Sequence, residues 1–332
     1  MVLAGDIGGT NTRLAFYEGT PNRLTAVATE IFRSADHNGP EDIVEAFIAK
    51  YSKVPAAACF GIAGAVREGV VETTNLPWIV SEKKLSADLG IKHVSLINDL
   101  EANAHGIALL SESDFVCMHA GKPIAGGNRA LISAGTGLGE AGLLAERDGS
   151  YRPFPSEGGH VDFAARNELE VEMLRYLHSR FEHVSYERVL SGPGFMNIYE
   201  FLRDTGRYEE PAWLKEKIQY PNPSAVVAQS GLEGTSEIAV KALDMFISIY
   251  GAEAGNLALK VVATGGVFVG GGIAPKLIAK LNGPTFLNAF WAKGRVSPLL
   301  RDIPVRVITN DKTALLGAGR VAALAASANS AH

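Results

Sequence analysis

Gly5-Asp6-Ile7-Gly8-Gly9-Thr10-Asn11 is the stretch on which the fold turns. Val2 to Ile7 is apolar, Gly8-Gly9-Thr10-Asn11 is turn chemistry, and Thr12-Arg13-Leu14-Ala15-Phe16-Tyr17 resumes a β pattern, which predicts a hairpin. A glycine turn between strands brings backbone N–H groups close to a ligand without Cβ obstruction, and such nests favour anions. Asp6 at the strand end is placed to hold a magnesium ion through water, and Thr10 adds a hydroxyl donor. The same turn also serves as a bare hairpin connection, so its meaning depends on what accompanies it.

A second turn of the same kind follows 127 residues after Gly8. Arg129 to Ala134 reads as a strand, Gly135-Thr136-Gly137-Leu138-Gly139 as the turn, and Glu140 to Glu146 as the returning strand. Neither turn has the Gly-Lys-Ser/Thr of a P-loop, and the second leads into a strand, against a dinucleotide fingerprint. Two hairpin turns one domain length apart suggest two lobes holding a phosphate chain from opposite sides. Gly270-Gly271-Gly272, after the strand Thr264 to Val269, has two open readings: a close approach to a ligand, or a tight strand-to-helix connection.

Between the turns the pattern alternates. A strand is expected over Leu24 to Phe32, a helix from Pro40, a strand over Ala56 to Ala63, and a helix over Ser81 to Leu89. A strand over His93 to Ile97 and a helix over Asp99 to Leu109 follow. Three hairpin-connected strands and then α/β alternation imply a mixed sheet in a layered α/β fold. A mostly helical stretch runs from Glu168 to about Leu259, with Ile238, Leu243, Phe246, Ile247 and Tyr250 at helical spacing as core. Residues 205–235, rich in Pro, Gly and charge, read as a loop-rich connection. Val305 to Ile308 is a late strand, Lys312 to Ala325 a closing helix, and Ala322 to His332 a frayed tail.

With 332 residues the chain is long enough for two domains, and 47% hydrophobic against 20% charged residues excludes a disordered chain. A net charge of −5 without a Lys/Arg run argues against nucleic acid or an anionic membrane as partner. Cys59 and Cys117 cannot form a disulfide framework, lack zinc spacing, and read as small core residues of a cytoplasmic protein. The chain goes straight into Val2-Leu3-Ala4 with no signal-peptide pattern, and no apolar run reaches membrane-spanning length.

Carboxylates sit where α/β sheets bind ligands. Asn98-Asp99 follows a strand and opens a helix, which suits helix capping and equally a carboxylate at a strand's carboxyl end. Pro155-Ser156-Glu157-Gly158-Gly159-His160-Val161-Asp162 gathers an acid, two glycines and a histidine, and Glu187-Arg188 precedes Val189-Leu190-Ser191-Gly192-Pro193-Gly194. Carboxylates and amides suit a polyol, because each hydroxyl donates to an oxygen. A zinc reading of His160 lacks a second histidine at ligand spacing.

Over nearly its whole length the sequence resembles the bacterial glucokinases of the hexokinase–Hsp70–actin superfamily, in the group without the zinc-binding cysteines of the ROK kinases. The residues that carry the resemblance are Gly5 to Asn11, Thr74-Asn75-Leu76-Pro77-Trp78, Ile97-Asn98-Asp99, Gly135 to Gly139, Glu157 to Phe163, Glu187 to Gly194 and Gly265 to Ile273. The Glu-Gly-Gly-His and Glu-Arg-Val-Leu-Ser-Gly blocks are specific, whereas the first turn is shared across the superfamily.

The resemblance implies a two-lobed, actin-like ATPase fold of the ribonuclease H type with a cleft between its domains. The small α/β domain would comprise 1–109 and 312–332, and the large one 110–311. It implies a cytoplasmic homodimer that uses ATP and magnesium (Mg2+) to phosphorylate D-glucose at the 6-hydroxyl. By motif, Asp99 matches the catalytic base and also contacts sugar, while Asn98, Glu157, His160 and Glu187 match sugar ligands. Asp6, Ile7, Gly8, Gly9, Thr10 and Asn11 match the first phosphate loop, with Asp6 on the metal. Gly135, Thr136, Gly137 and Gly139 match the second loop, and Gly270, Gly271 and Gly272 the adenosine region. Leu76-Pro77 between Asn75 and Trp78 departs from the pattern, leaving the role of Asn75 in the sugar pocket open.

A sugar-sensing regulator would carry a helix-turn-helix, for which there is no room before Asp6. An actin-like filament protein would have no use for Glu157, His160 and Glu187. A polyphosphate-dependent glucomannokinase would share the turns, and a panel of sugars and phosphate donors separates it.

Overall fold

The computed structural model describes residues 1–73 and 76–329; Asn75, with its expected place in a sugar pocket, lies outside the described residues. The chain forms two compact units, one of residues 1–114, 151–155 and 310–332, the other of 115–150 and 156–309.

The first unit opens with β1 (Val2–Ile7), β2 (Asn11–Thr20) and β3 (Arg23–Arg33), followed by α1 (Pro40–Tyr51) and β4 (Ala58–Ile62). A short hairpin, β5 (Val70–Glu72) with β6 (Ile79–Ser81), precedes α2 (Glu82–Leu89), β7 (Val94–Asn98) and α3 (Asp99–Gly106). The sheet runs β3-β2-β1-β4-β7, antiparallel through the hairpins and parallel from β1 onward.

Side chains of a strand alternate between faces, and β1 shows this cleanly. Leu3 and Ile7 join Leu14, Phe16, Phe47 and Phe60 on one face, where the Phe16 and Phe47 rings stack at 4.8 Å. Val2 and Ala4 face the opposite way, onto a core that includes Ala102, Leu315, Ala318 and Ala322. Asp6 shares their parity, so it sits on the α3 side of the sheet.

The second unit holds β8 (Phe115–His119), β9 (Arg129–Ala134) and β10 (Leu138–Ala145). After β11 (Tyr151–Ser156) come α4 (Glu168–His178), α5 (Gly192–Asp204), α6 (Ala212–Lys217), α7 (Pro223–Glu233) and α8 (Glu237–Val261). Then follow β12 (Gly266–Gly270), α9 (Ile278–Leu281), α10 (Pro284–Trp291), α11 (Ser297–Asp302) and β13 (Val305–Ile308). The closing helix α12 (Thr313–Asn329) returns to the first unit.

Within the second unit the strands run β10-β9-β12-β13-β8. The order β10-β9-β12-β13 repeats β2-β1-β4-β7: in each, an antiparallel hairpin is followed by two parallel neighbours. The two glycine turns sit at the same place in this repeated topology. The helical core centres on α8, whose Ile238, Leu243, Phe246, Ile247 and Tyr250 are all buried, as their spacing predicts.

Three expectations are corrected. Residues 205–235 contain two helices; α7 begins with Pro223, whose fixed φ suits a first helical position, and stops at left-handed Gly234. The C-terminal residues from Ala322 continue α12 as far as Asn329, because Ala322 and Ala323 are buried against the sheet. Cys117 is exposed, since β8 is an edge strand paired only with β13, whereas Cys59 is buried as expected.

Candidate active site

In the first unit the parallel strands align their carboxyl ends. The register places Asp6 beside Gly61 and Gly61 beside Ile97, so Asp99 lies two residues past that row at the first turn of α3. Gly61 leaves the middle of the row without a side chain. A Cβ there would lie 2.8 Å from Ala102 Cβ and 3.9 Å from Asp99 Cα, so α3 approaches the sheet only because this position is glycine.

Asp6 and Asp99 are therefore electrostatic neighbours. Burial pushes the Asp6 carboxyl up to about 6; Arg13 opposes the shift, and the charges of Asp99 and Asp311 add to it. Arg13, paired with Asp6 across the hairpin, is itself held by Asp311, through the carbonyl oxygen at 2.8 Å and Oδ2 at 3.2 Å.

The first turn is closed by Gly8 N–H donating to the Asn11 carbonyl at 3.0 Å. Ser34 braces it, with its hydroxyl donating to the Gly8 carbonyl at 2.7 Å and its N–H to the Thr10 carbonyl at 3.0 Å. Thr10 and Asn11 are exposed, and Ile7 is buried beneath them. At the next strand end the capping reading of Asn98 is realised: Oδ1 accepts Leu100 N–H at 2.8 Å and Nδ2 donates to the Gly64 carbonyl at 3.1 Å. Asp99 Oδ1 also accepts Leu100 N–H, at 2.9 Å.

In the second unit the turn after β9 is tied to two later segments. Gly135 N–H donates to the Gly137 carbonyl, and the Gly192 N–H to the Gly135 carbonyl, both at 2.8 Å. Glu187 Oε2 accepts Leu138 N–H at 2.9 Å. The Glu157–His160 turn also packs on the start of β10, where Gly159 meets the Leu138 carbonyl. Glu157 and His160 are exposed side by side, with His160 Nε2 3.9 Å from Glu157 Oε2. The fold thus gathers Glu157, His160 and Glu187 around Leu138, beside Thr136, Gly137 and Gly139.

A cavity of about 370 Å³ opens next to Gly135 and Thr136, within the range of small-molecule sites. Phe246 and Ala228 wall it, and Gly272, Asn222, Ser224 and Lys276 reach it. The tight-connection reading of the glycine triplet is realised at Gly271. Gly271 has φ +82° and packs its Cα against the Ala134 carbonyl, a tight connection, while Gly272 has open space beside it and lines the cavity. Asn222, Ser224, Ala228 and Lys276 had no expected role; the Pro223 helix start was the available signal for the first three.

Among the described residues no three His, Cys, Asp or Glu side chains converge as a metal-binding group. Magnesium does not require one, since it is usually held by one or two carboxylates, water and substrate phosphates. Asp6, a confined hard-oxygen donor beside the first glycine turn and further carboxylates, fits that mode of binding. No helix among the described residues is long and apolar enough to cross a membrane.

The sequence profile of the family described as "Glucokinase" matches residues 3–325. A glucokinase of Nostoc punctiforme is 40% identical over 340 residues, covering 97% of this chain and 99% of its own. The crystal structure of a glucokinase from an Antarctic psychrotroph superimposes with a TM-score of 0.84 at 30% identity, covering 97% and 98%. A ROK family glucokinase from Streptomyces griseus, solved with glucose and AMPPNP, reaches 0.60 at 19% identity, covering 97% and 98%, a likeness of fold. The repeated strand order is that of the actin-like fold these sugar kinases share. With the profile spanning both glycine turns and all the carboxylates gathered above, the chain belongs to the glucokinase family.

Proposed function

We propose that this chain transfers the γ-phosphoryl group of ATP to the 6-hydroxyl of D-glucose, producing ADP and glucose 6-phosphate for glycolysis. The observation that carries the reading is that Glu187 and the Glu157–His160 turn, through Gly159, both meet the chain at Leu138, beside the second glycine turn. Polar acceptors for a polyol and backbone donors for an anion there share one short segment.

In this reading Asp99 accepts the proton of the 6-hydroxyl as that oxygen bonds to the γ-phosphorus and the bond to the β-γ bridging oxygen breaks. Positioning and charge neutralisation carry most of such a reaction. Asn98, Glu157, His160 and Glu187 bind the other sugar hydroxyls, with Asn98 held at the N-cap of α3 by its capping bond. Gly9, Thr10 and Asn11 offer donors to phosphate oxygens, with Gly8 closing the turn through its own N–H, and Thr136, Gly137 and Gly139 offer donors in the second turn. The cavity bounded by Gly272, Ala228 and Phe246 takes the adenosine, with Lys276 adding positive charge; of the glycine triplet only Gly272 lines it. Asp6 would hold magnesium through water, and the ion would neutralise charge on the phosphate oxygens.

A cytoplasmic homodimer, with domains divided near 109 and 312, completes the reading; the family resemblance supports it. A coupled assay with a panel of sugars and phosphate donors tests the function. Glucose with ATP is expected to turn over fastest, and failure of every sugar with every donor ends the kinase reading.

A further inference from the structure

Beneath the segments that carry Glu157, His160 and Glu187 lies a buried polar cluster for which the proposed chemistry has no use. At its centre is Glu140 of β10, 1% exposed. Neither of its carboxyl oxygens has a hydrogen-bond donor among the described residues. Its neighbour is a second buried acid, Glu253 of α8, 0% exposed.

Glu253 is well served. Its Oε2 accepts from Asn256 Nδ2 at 2.7 Å and its Oε1 from Lys260 Nζ at 3.0 Å. Lys260, itself half-exposed, and Lys293 serve Glu253 and Asn256 and neither donates to Glu140, so ionising both buried acids would leave a charge without a partner, which is strongly unfavourable. One of the acids must carry a proton. Glu253 already has the cation, so the proton belongs to Glu140, whose O–H then has the Glu253 carboxylate as acceptor.

Burial and the Glu253 charge raise Glu140 to about 8, with Lys260 opposing. The other titratable groups around the pair are Tyr250 of α8 and Lys293, just past α10. The Tyr250 hydroxyl accepts Ala134 N–H at 3.2 Å, and Lys293 donates to the Ala252 carbonyl at 2.9 Å and to Asn256. Burial lowers Lys293 to about 8, against the pull of Glu253; Arg166 and Lys260 repel it.

The cluster reaches both sugar-ligand segments. Gly158 rests directly on Glu140: a Cβ at Gly158 would strike Oε2 and lie 2.8 Å from the carboxyl carbon. Asn256, which holds Glu253, also donates to the hydroxyl of Tyr186 at 3.0 Å, and Tyr186 immediately precedes Glu187.

We propose that Glu140 is a positioning residue: as a neutral acid hydrogen-bonded to Glu253 it seats the Glu157–His160 turn for sugar binding. When it ionises, repulsion between the two carboxylates pushes on Gly158, and the turn leaves its seat. The inference rests on the assignment of Glu157 and His160 as sugar ligands.

The test follows glucose KM from neutral to mildly alkaline pH in the wild type, Glu140→Gln and Glu253→Gln, with infrared spectra of the same proteins in the absence of sugar. Wild-type KM is expected to rise roughly tenfold per pH unit above a break, with kcat changing less. Glu140→Gln, a neutral isostere that still donates to Glu253, keeps its neutral-pH KM throughout. Glu253→Gln removes the adjacent anion and moves the break to lower pH.

In the infrared, wild type shows the C=O stretch of a protonated carboxylic acid at neutral pH. That band fades over the range in which KM rises, and it is missing from Glu140→Gln. A KM rise that survives in Glu140→Gln overturns the proposal, and so does a neutral-pH spectrum without the acid band. If the wild type phosphorylates no sugar, the functional reading falls, and the acid band separately reports whether the proton sits on Glu140.

Discussion

Leu138 N–H donates to Glu187 Oε2 at 2.9 Å, so the carboxylate proposed to bind sugar is hydrogen-bonded to the backbone of the second glycine turn. Glu187 is therefore expected to serve two substrates. Hydrogen bonds to charged groups contribute about 1.5–3 kcal/mol, roughly a 10–100-fold effect on an equilibrium. Glu187→Ala should raise KM for both glucose and ATP by factors in that range. Glu157→Ala, on an exposed turn without such a bond, should raise KM for glucose alone. Steady-state kinetics with each substrate varied in turn checks the contrast.

The cavity beside Gly135 carries a second expectation. Ala228 forms part of its wall, and Phe at this position would occupy space assigned to the nucleotide. Overpacking of this kind costs about 1–3 kcal/mol. Ala228→Phe should raise KM for ATP about tenfold or more and leave KM for glucose unchanged. Equal effects on both would remove adenosine from this cavity.

His105 of α3 gives a pH-dependent stability. Burial, reinforced by Arg320 of α12, lowers it from its ordinary value of 6.5 to about 4, and Arg320 Nη1 lies 3.3 Å from Nδ1. Between those values the unfolded chain binds a proton that the folded chain does not, so stability falls as pH drops from 6.5 toward 4. Discounted for partial solvent contact, the loss should be about 2 kcal/mol. His105→Gln should unfold with a flatter pH dependence in urea titrations over this window. Parallel curves for the two proteins would refute the assignment.

Much of this arrangement was legible in local sequence. The hairpin at Gly8-Gly9, the second turn at Gly135 to Gly139, and the strand ending at Asn98 follow from periodicity and turn chemistry that tertiary packing reinforces. The helix at 223–233 was missed because Pro, Gly and charge outweighed Val226 and Val227, of which only Val227 is buried, and the short helix at 212–217 because it buries only Leu214. Cys117 was misread because nothing local distinguishes an edge strand from a central one. The pairing of Glu140 with Glu253 joins residues 113 positions apart through β10 and α8, and no local pattern encodes it.

The central claim is that a glucose kinase uses Asp99 as its proton acceptor, and the most direct measurement is steady-state turnover of Asp99→Asn with glucose and ATP. A general base contributes about 10²–10⁴-fold to rate. The account predicts that kcat falls by a factor in that range while KM for glucose stays within a few-fold of wild type. Near-normal kcat in the variant would contradict it.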